Sequence, residues 1–279
     1  MNEASDEQNT QAFSATVRLG EHCSGTVTKV TRDGDVVVAL DGFPGRPLGV
    51  VGALDVSWTR STAATREVEV GQRVTAEVLA VDRDTGRVRM SMAATENPQL
   101  WAFLKGLRRG EVVSGVIASI ESFGVFVRLD EGPGHPAFPG VGFISYAALS
   151  WHRFDKASDI VQVGQRVSCE FLGFHTSNGE ARLSLKAMQP DPFPVFADTV
   201  REGQVLCGRV TKLVPFGAFI EVADGVEGLV HLQDLTEVPV ETPEEVVRVG
   251  EELSVVVLEV GREHRRVVLS RHQALSDSW

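Results

Sequence analysis

The chain has 279 residues, 43% of them hydrophobic and 7% aromatic, and contains no run of the roughly 18 apolar residues that a membrane-spanning helix needs. Its formal net charge of −11 argues against tight non-specific binding to duplex nucleic acid, but the excess is local: −2 over residues 1–18, −1 over 19–92, 0 over 93–188 and −8 over 189–279. Cys23, Cys169 and Cys207 are odd in number and lack pairwise ligand spacing, so neither a disulfide framework nor a cysteine metal site is expected, and they read as small strand residues.

Residues 1–18 are polar, without an apolar segment or a basic patch, and are expected to form a disordered tail of a soluble, cytoplasmic protein. One phrase then occurs three times. Gly25, Gly115 and Gly208 each open a strand, and nine residues later comes a second glycine, Gly34, Gly124 and Gly217. Farther on, Val70-Gly71, Val163-Gly164 and Val249-Gly250 each precede by 20 residues a serine in an apolar strand, Ser91, Ser184 and Ser270. A unit of roughly 70 to 80 residues is too long for a solenoid repeat and right for a small domain. Domains are therefore expected at 19–92, 109–188 and 202–274, with linkers at 93–108 and 189–201 and a tail at 275–279.

In the first repeat, alignment on Gly34 makes Asp33 and Val36 the counterparts of ring positions in the later copies. It turns Val36, Val38 and Leu40 outward, an apolar face without rings that suits packing against protein. In the second repeat Val125, Val127 and Leu129 alternate with Phe126 and Arg128, with Phe123 at the bend. Its hairpin between strands two and three is long: 18 positions separate Gly124 from Gly142, against 15 from Gly34 to Gly49 and 11 from Gly217 to Gly228. The extra residues include Gly132-Pro133-Gly134-His135-Pro136.

The third repeat is the clearest. Strands are expected at 204–214, 218–222, 227–231, 253–260 and 267–270, with a hairpin turn at Asp224-Gly225. A short helix from Pro243, capped by Thr242, falls between strands three and four. Five strands in this arrangement define an all-β protein of three tandem five-stranded OB-fold barrels. Ala218, Ile220 and Val222 belong inside, which leaves Phe219 outside with Glu221 and with Phe216 at the bend. Exposed ring pairs on a barrel are sites on which nucleobases stack.

With these residues in place the chain resembles the S-one RNA-binding family. The third repeat carries Gly208-x-Val210, Phe216-Gly217-Ala218-Phe219, Glu227-Gly228-Leu229-Val230-His231, Val249-Gly250 and Val268-Leu269-Ser270. The resemblance implies that single-stranded RNA lies across strands two and three, held by Phe216, Phe219, His231 and Arg266 or Arg265. Gly261 stands where some members carry an acidic residue. The second repeat keeps Phe123 and Phe126, with Arg128 beside them, but has Ser145 for the histidine and Glu180 for the arginine. The first keeps Arg87 with Asp82 and has Gly52 for the histidine. In the family's ribosomal members the early repeats contact the ribosome and later ones hold mRNA. The resemblance therefore implies mRNA on repeats two and three and contact with the 30S subunit, or another protein, through repeat one. Three repeats are fewer than in full-length ribosomal versions, and 22 Arg against 5 Lys fit a GC-rich bacterial genome.

Two other classes remain. An enzyme is disfavoured, because of seven histidines only His231 sits in the motif, His135 and His152 fall in loops, and no His-x-x-x-His, cysteine pair or phosphate loop occurs; no cofactor or metal is expected. A protein-interaction scaffold with vestigial RNA binding is the alternative, favoured by the apolar first repeat and the acidity of the third.

Overall fold

The computed structural model describes residues 17–43, 49–59, 68–82 and 85–276; most of the expected N-terminal tail and the last three residues lie outside the described residues. The first barrel comprises β1 (His22–Val30), β2 (Val36–Leu40), β3 (Gly49–Val51), β4 (Arg73–Asp82) and β5 (Arg87–Ser91). The second comprises β6 (Val112–Glu121), β7 (Gly124–Leu129), β8 (Gly142–Ser145), β9 (Arg166–Phe174) and β10 (Ala181–Ser184). The third comprises β11 (Val205–Val214), β12 (Gly217–Ala223), β13 (Val226–His231), β14 (Glu252–Gly261) and β15 (Arg266–Ser270). Each closes in the order one-two-three-five-four, with its third and fifth strands parallel. This is the expected OB topology. The chain divides into two compact units, Met1–Ala147 with Ala157–Leu185, and Ala148–Lys156 with Lys186–Trp279.

The Val-Gly turn marks a device used six times. Gly20, Gly110 and Gly203 precede the first strand of each barrel, and Gly71, Gly164 and Gly250 the fourth, all at φ between 80° and 91°. Only glycine takes that conformation without steric cost. Each of these amides donates to a carbonyl of the neighbouring strand, as Gly71 does to Val27 (2.8 Å), Gly164 to Ile117 (2.9 Å) and Gly250 to Val210 (2.8 Å). The Glu or Gln that follows folds back to accept from a backbone N–H three residues upstream; Glu111 accepts from Arg108 and Glu251 from Arg248, each at 2.9 Å. The acidity of the third repeat is thus partly structural, and Glu245 likewise completes a capping box with Thr242 on the 3-10 helix Pro243–Glu245.

The repeated serine also has a local cause. Ser91 is buried and its Oγ accepts from the amide of Ala94, capping helix α1 (Met92–Glu96), and Ser270 Oγ accepts from Gln273 at the start of the helix Arg271–Ser276. The two segments expected as linkers are packed helices. In α2 (Pro98–Gly106) Leu100, Trp101 and Leu104 are buried. In α3 (Pro192–Thr199), capped by Asp191, Phe193 and Phe196 join the core of the third barrel with Val210, Ile220, Val255 and Leu269. Their apolar i, i+3 spacing was the signal for this.

A side chain at Gly164 would be forced into the left-handed region at a cost of about 1–2 kcal/mol. Gly106, at the end of α2, has open space around it and no such backbone constraint. Gly164→Ala should therefore lower the stability of the second barrel by about that amount, whereas Gly106→Ala should leave it unchanged or raised, as read by urea denaturation of the whole chain.

Candidate nucleic-acid interface

In the third barrel, strand pairing assembles the outward face. Phe219 on β12 pairs with Lys212 on β11 and Leu229 on β13, so these three side chains form one row, while Ala218 and Ile220 point into the core. Phe216 stands at the bend, 55% exposed, and His231 pairs across the sheet with Gly217, its ring 6.5 Å from that of Phe216. Arg266 is exposed at the start of β15, two residues before the Val268 that pairs with Leu229, and so shares this face. Glu221 and Glu227, directly opposite each other, bound it on one side. Among the described residues no aromatic ring covers Phe219, which is half-buried by its neighbours in the sheet.

Arg265 does not belong to this face. It has φ 50°, the left-handed position that Gly86 and Gly179 fill in the other barrels. Its guanidinium grips both carboxylate oxygens of Asp191 and stacks on Trp151 (4.5 Å) and Phe193 (4.9 Å). The hydrogen bond from Arg265 holds the Asp191 carboxyl below its usual range. Bidentate pairing and stacking offset the backbone strain, so Arg265 is an anchor for α3, and of the two candidate arginines Arg266 is the one on the ring face.

In the second barrel Phe123 is 61% exposed and Arg128 is exposed, but Phe126, expected outside, is only 3% exposed. It does point away from the barrel core. The hairpin insertion folds over it: the Phe138 ring lies 5.0 Å from it at 26°, and Phe143 on β8 packs at 5.2 Å. His135 stacks on Phe138 at 4.5 Å. Its Nδ1 accepts from the amides of Ala137 and Phe138 (3.0 Å each), and its Nε2 faces the Asn178 carbonyl at 2.8 Å, which makes Nε2 the protonated nitrogen. Glu180, in place of the arginine, has its carboxyl pushed up by burial.

The first barrel turns the opposite set of residues inward from the one its sequence suggests. Val36, Val38 and Leu40 are 1%, 1% and 3% exposed and form its core with Val27, Val51 and Met90, so they offer no protein-contact face. Gly25 pairs with Leu40 and Gly115 with Leu129, a separation of 15 residues against 14. The first hairpin of this barrel is one residue longer. A one-residue slip exchanges the two faces of a strand. The true counterparts of Phe216 and Phe219 are Gly34 and Val37, and the outward row is Lys29, Val37 and Val50.

Three residues on these faces escaped the sequence reading. Lys212 is opposite Phe219 because a bulge between Val210 and Lys212 shifts the register, which no local pattern announces. Phe143 had a signal in the alternation of β8. Phe138 had none, since a loop ring gives no hint of what it covers. Among the described residues no group of His, Cys, Asp and Glu is placed to hold a metal ion, and no helix is long and apolar enough to cross a membrane.

Closed five-stranded barrels with ring residues on strand two define a tandem OB-fold protein. The S1 RNA binding domain model matches residues 16–93, 107–186 and 199–272, and the chain belongs to that family. It is 37% identical over 265 residues to the small ribosomal subunit protein bS1 of Mycolicibacterium smegmatis, covering 92% of this chain and 51% of that protein. It is 40% identical over 213 residues to bS1 of Mycobacterium leprae, covering 75% and 42%. The chain spans about half the length of the relatives it matches. Among solved structures it is similar to GSP13 from Bacillus subtilis, with 33% identity, a TM-score of 0.27, and 28% of this chain and 60% of that one covered.

Burial pushes the pKa of His135 down, against the opposing effect of its bond to Asn178. In an open loop the imidazole takes up a proton near its ordinary value of about 6.5. The closed loop binds it only at lower pH, so the stability of the closed form is full above about pH 6.5 and is lost as pH falls through the lowered value. Hydrogen-exchange protection factors at Ala137 and Phe138 should drop between pH 7 and pH 5, and His135→Phe should abolish that dependence.

Proposed function

We propose that this chain holds single-stranded RNA, with the outward face of the third barrel as the principal site and Phe123 and Arg128 of the second barrel as a lesser one. The observation that carries the reading is the open row of Phe216, Phe219 and His231, flanked by Lys212 and Arg266 on the same surface. Flat rings beside isolated cations suit unpaired bases and their phosphates, whereas a duplex presents its phosphates and hides its base faces. The acidic Glu221 and Glu227 on this face oppose a continuous duplex groove. The first barrel, with Gly34 and Val37 in place of rings, is assigned no RNA contact.

The similarity to bS1 proteins of the small ribosomal subunit supports mRNA as the RNA, translation as the setting, the 30S subunit as a partner and the cytoplasm as the location. The action is binding, with no catalytic step and no cofactor.

Anisotropy titration of the whole chain with a labelled uridine-rich single strand and with a duplex of equal length tests this. Losing one stacked base costs on the order of 1–3 kcal/mol, so Phe219→Ala should weaken single-strand binding roughly 5- to 150-fold. Val37→Ala should leave it unchanged. Arg266→Ala should weaken it and flatten the salt dependence by a log-log slope of about 0.7, whereas Arg265→Ala should lower stability more than affinity. Equal or tighter binding of the duplex would overturn the proposal in favour of a scaffold with vestigial RNA binding.

A further inference from the structure

The second and third barrels carry the same ring at the same register position, Phe126 and Phe219, yet only one is open. The difference lies in the loop from β7 to β8. The stack on Phe126 continues from Phe138 through His135 to Trp58, whose ring lies 6.2 Å from that of His135 at 26°. Trp58 is held in turn by its Nε1–H, which donates to the Thr176 carbonyl at 3.0 Å, and its ring packs where Gly179 leaves no room for a side chain. Interplanar angles of 22° to 26° and centroid separations of 4.5 to 6.2 Å are those of offset-stacked rings. The third barrel makes the same hairpin with Asp224-Gly225 and has nothing to lay over Phe219.

We propose that Phe138 occupies the base-stacking position of the second barrel, so that this loop sets how many bases the chain can hold. The inference rests on the RNA-binding reading and refines it. With Phe126 covered, the rings left to RNA on the second barrel, beside Arg128, are the uncovered Phe123 and the half-exposed Phe143, which lie 5.9 Å apart. The insertion thereby makes the second site shorter than the third, although both carry the same pair of rings, one at the bend and one on strand two.

The experiment is a cycle in the whole chain, read by anisotropy with a single-stranded uridine oligomer and by the shortest oligomer that saturates binding. Phe138→Ala should tighten binding at least about 5-fold, the equivalent of one recovered stack, and lengthen the minimal oligomer. Phe126→Leu, which keeps the apolar volume but removes the flat ring, should have no effect alone and should cancel the gain in the double variant. Because Phe138→Ala can loosen the loop, a second variant replaces residues 131–139 by Asp-Gly, copying the third barrel, and must show the same gain. Failure to tighten in both variants, or a gain that survives Phe126→Leu, would overturn the proposal. Its failure is distinguishable from that of the parent reading, which is judged on the wild-type chain by the effect of Phe219→Ala alone.

Discussion

In a closed five-stranded barrel the parity of the second strand is the constraint on which the rest depends. Once that strand is paired on both sides, alternate residues must point in or out, and a shift by one residue exchanges core and surface. The first hairpin of each barrel sets that parity. In the second and third barrels it delivers a phenylalanine to the outside at Phe126 and Phe219; in the first, one more residue places Val36 and Val38 inside and leaves Val37 outside. Which side chain of the second strand reaches the outer surface is thus decided in a turn several residues away from it.

Three copies of one scaffold consequently present three different surfaces. The third is open, the second is covered by its own hairpin insertion, and the first has no ring to offer. Burying a phenylalanine is worth about 1.5–3 kcal/mol relative to leaving it in water, and a stacked base contributes about 1–3 kcal/mol. On the proposed reading, these magnitudes are close enough for a tethered ring, which is already in place, to have the advantage over a base that must be ordered from solution. The column of Phe138, His135 and Trp58 gives that tethered ring its support.

Sequence alone disclosed what is local and repeated. The strands, the Val-Gly turns and the outward placement of the third barrel's Phe216 and Phe219 follow from short-range alternation and turn chemistry, His231 entered only through the family resemblance, and the minimal Asp224-Gly225 hairpin left little to go wrong. What stayed hidden is non-local. Aligning the first repeat on Gly34 assumed equal hairpin lengths, and its apolar residues fit either face equally well. The burial of Phe126 depends on a loop ring 12 positions farther along, and the assignment of Arg265 to Asp191 depends on a helix from a segment that reads as a linker. The repeated Ser was visible as a pattern, but its role as a hydrogen-bond acceptor, like that of the Glu or Gln after each turn glycine, required the folded backbone.

On this reading, access to the stacking faces, rather than motif content, determines where RNA lies. Ultraviolet crosslinking of the whole chain to a uridine oligomer, followed by mass spectrometric mapping, tests it directly. Crosslinks are predicted at Phe216, Phe219 and His231, with a weaker set at Phe123 and none at Phe126 or on the first barrel. Crosslinks at Phe126 as strong as those at Phe219, or concentrated on the first barrel, would contradict the account.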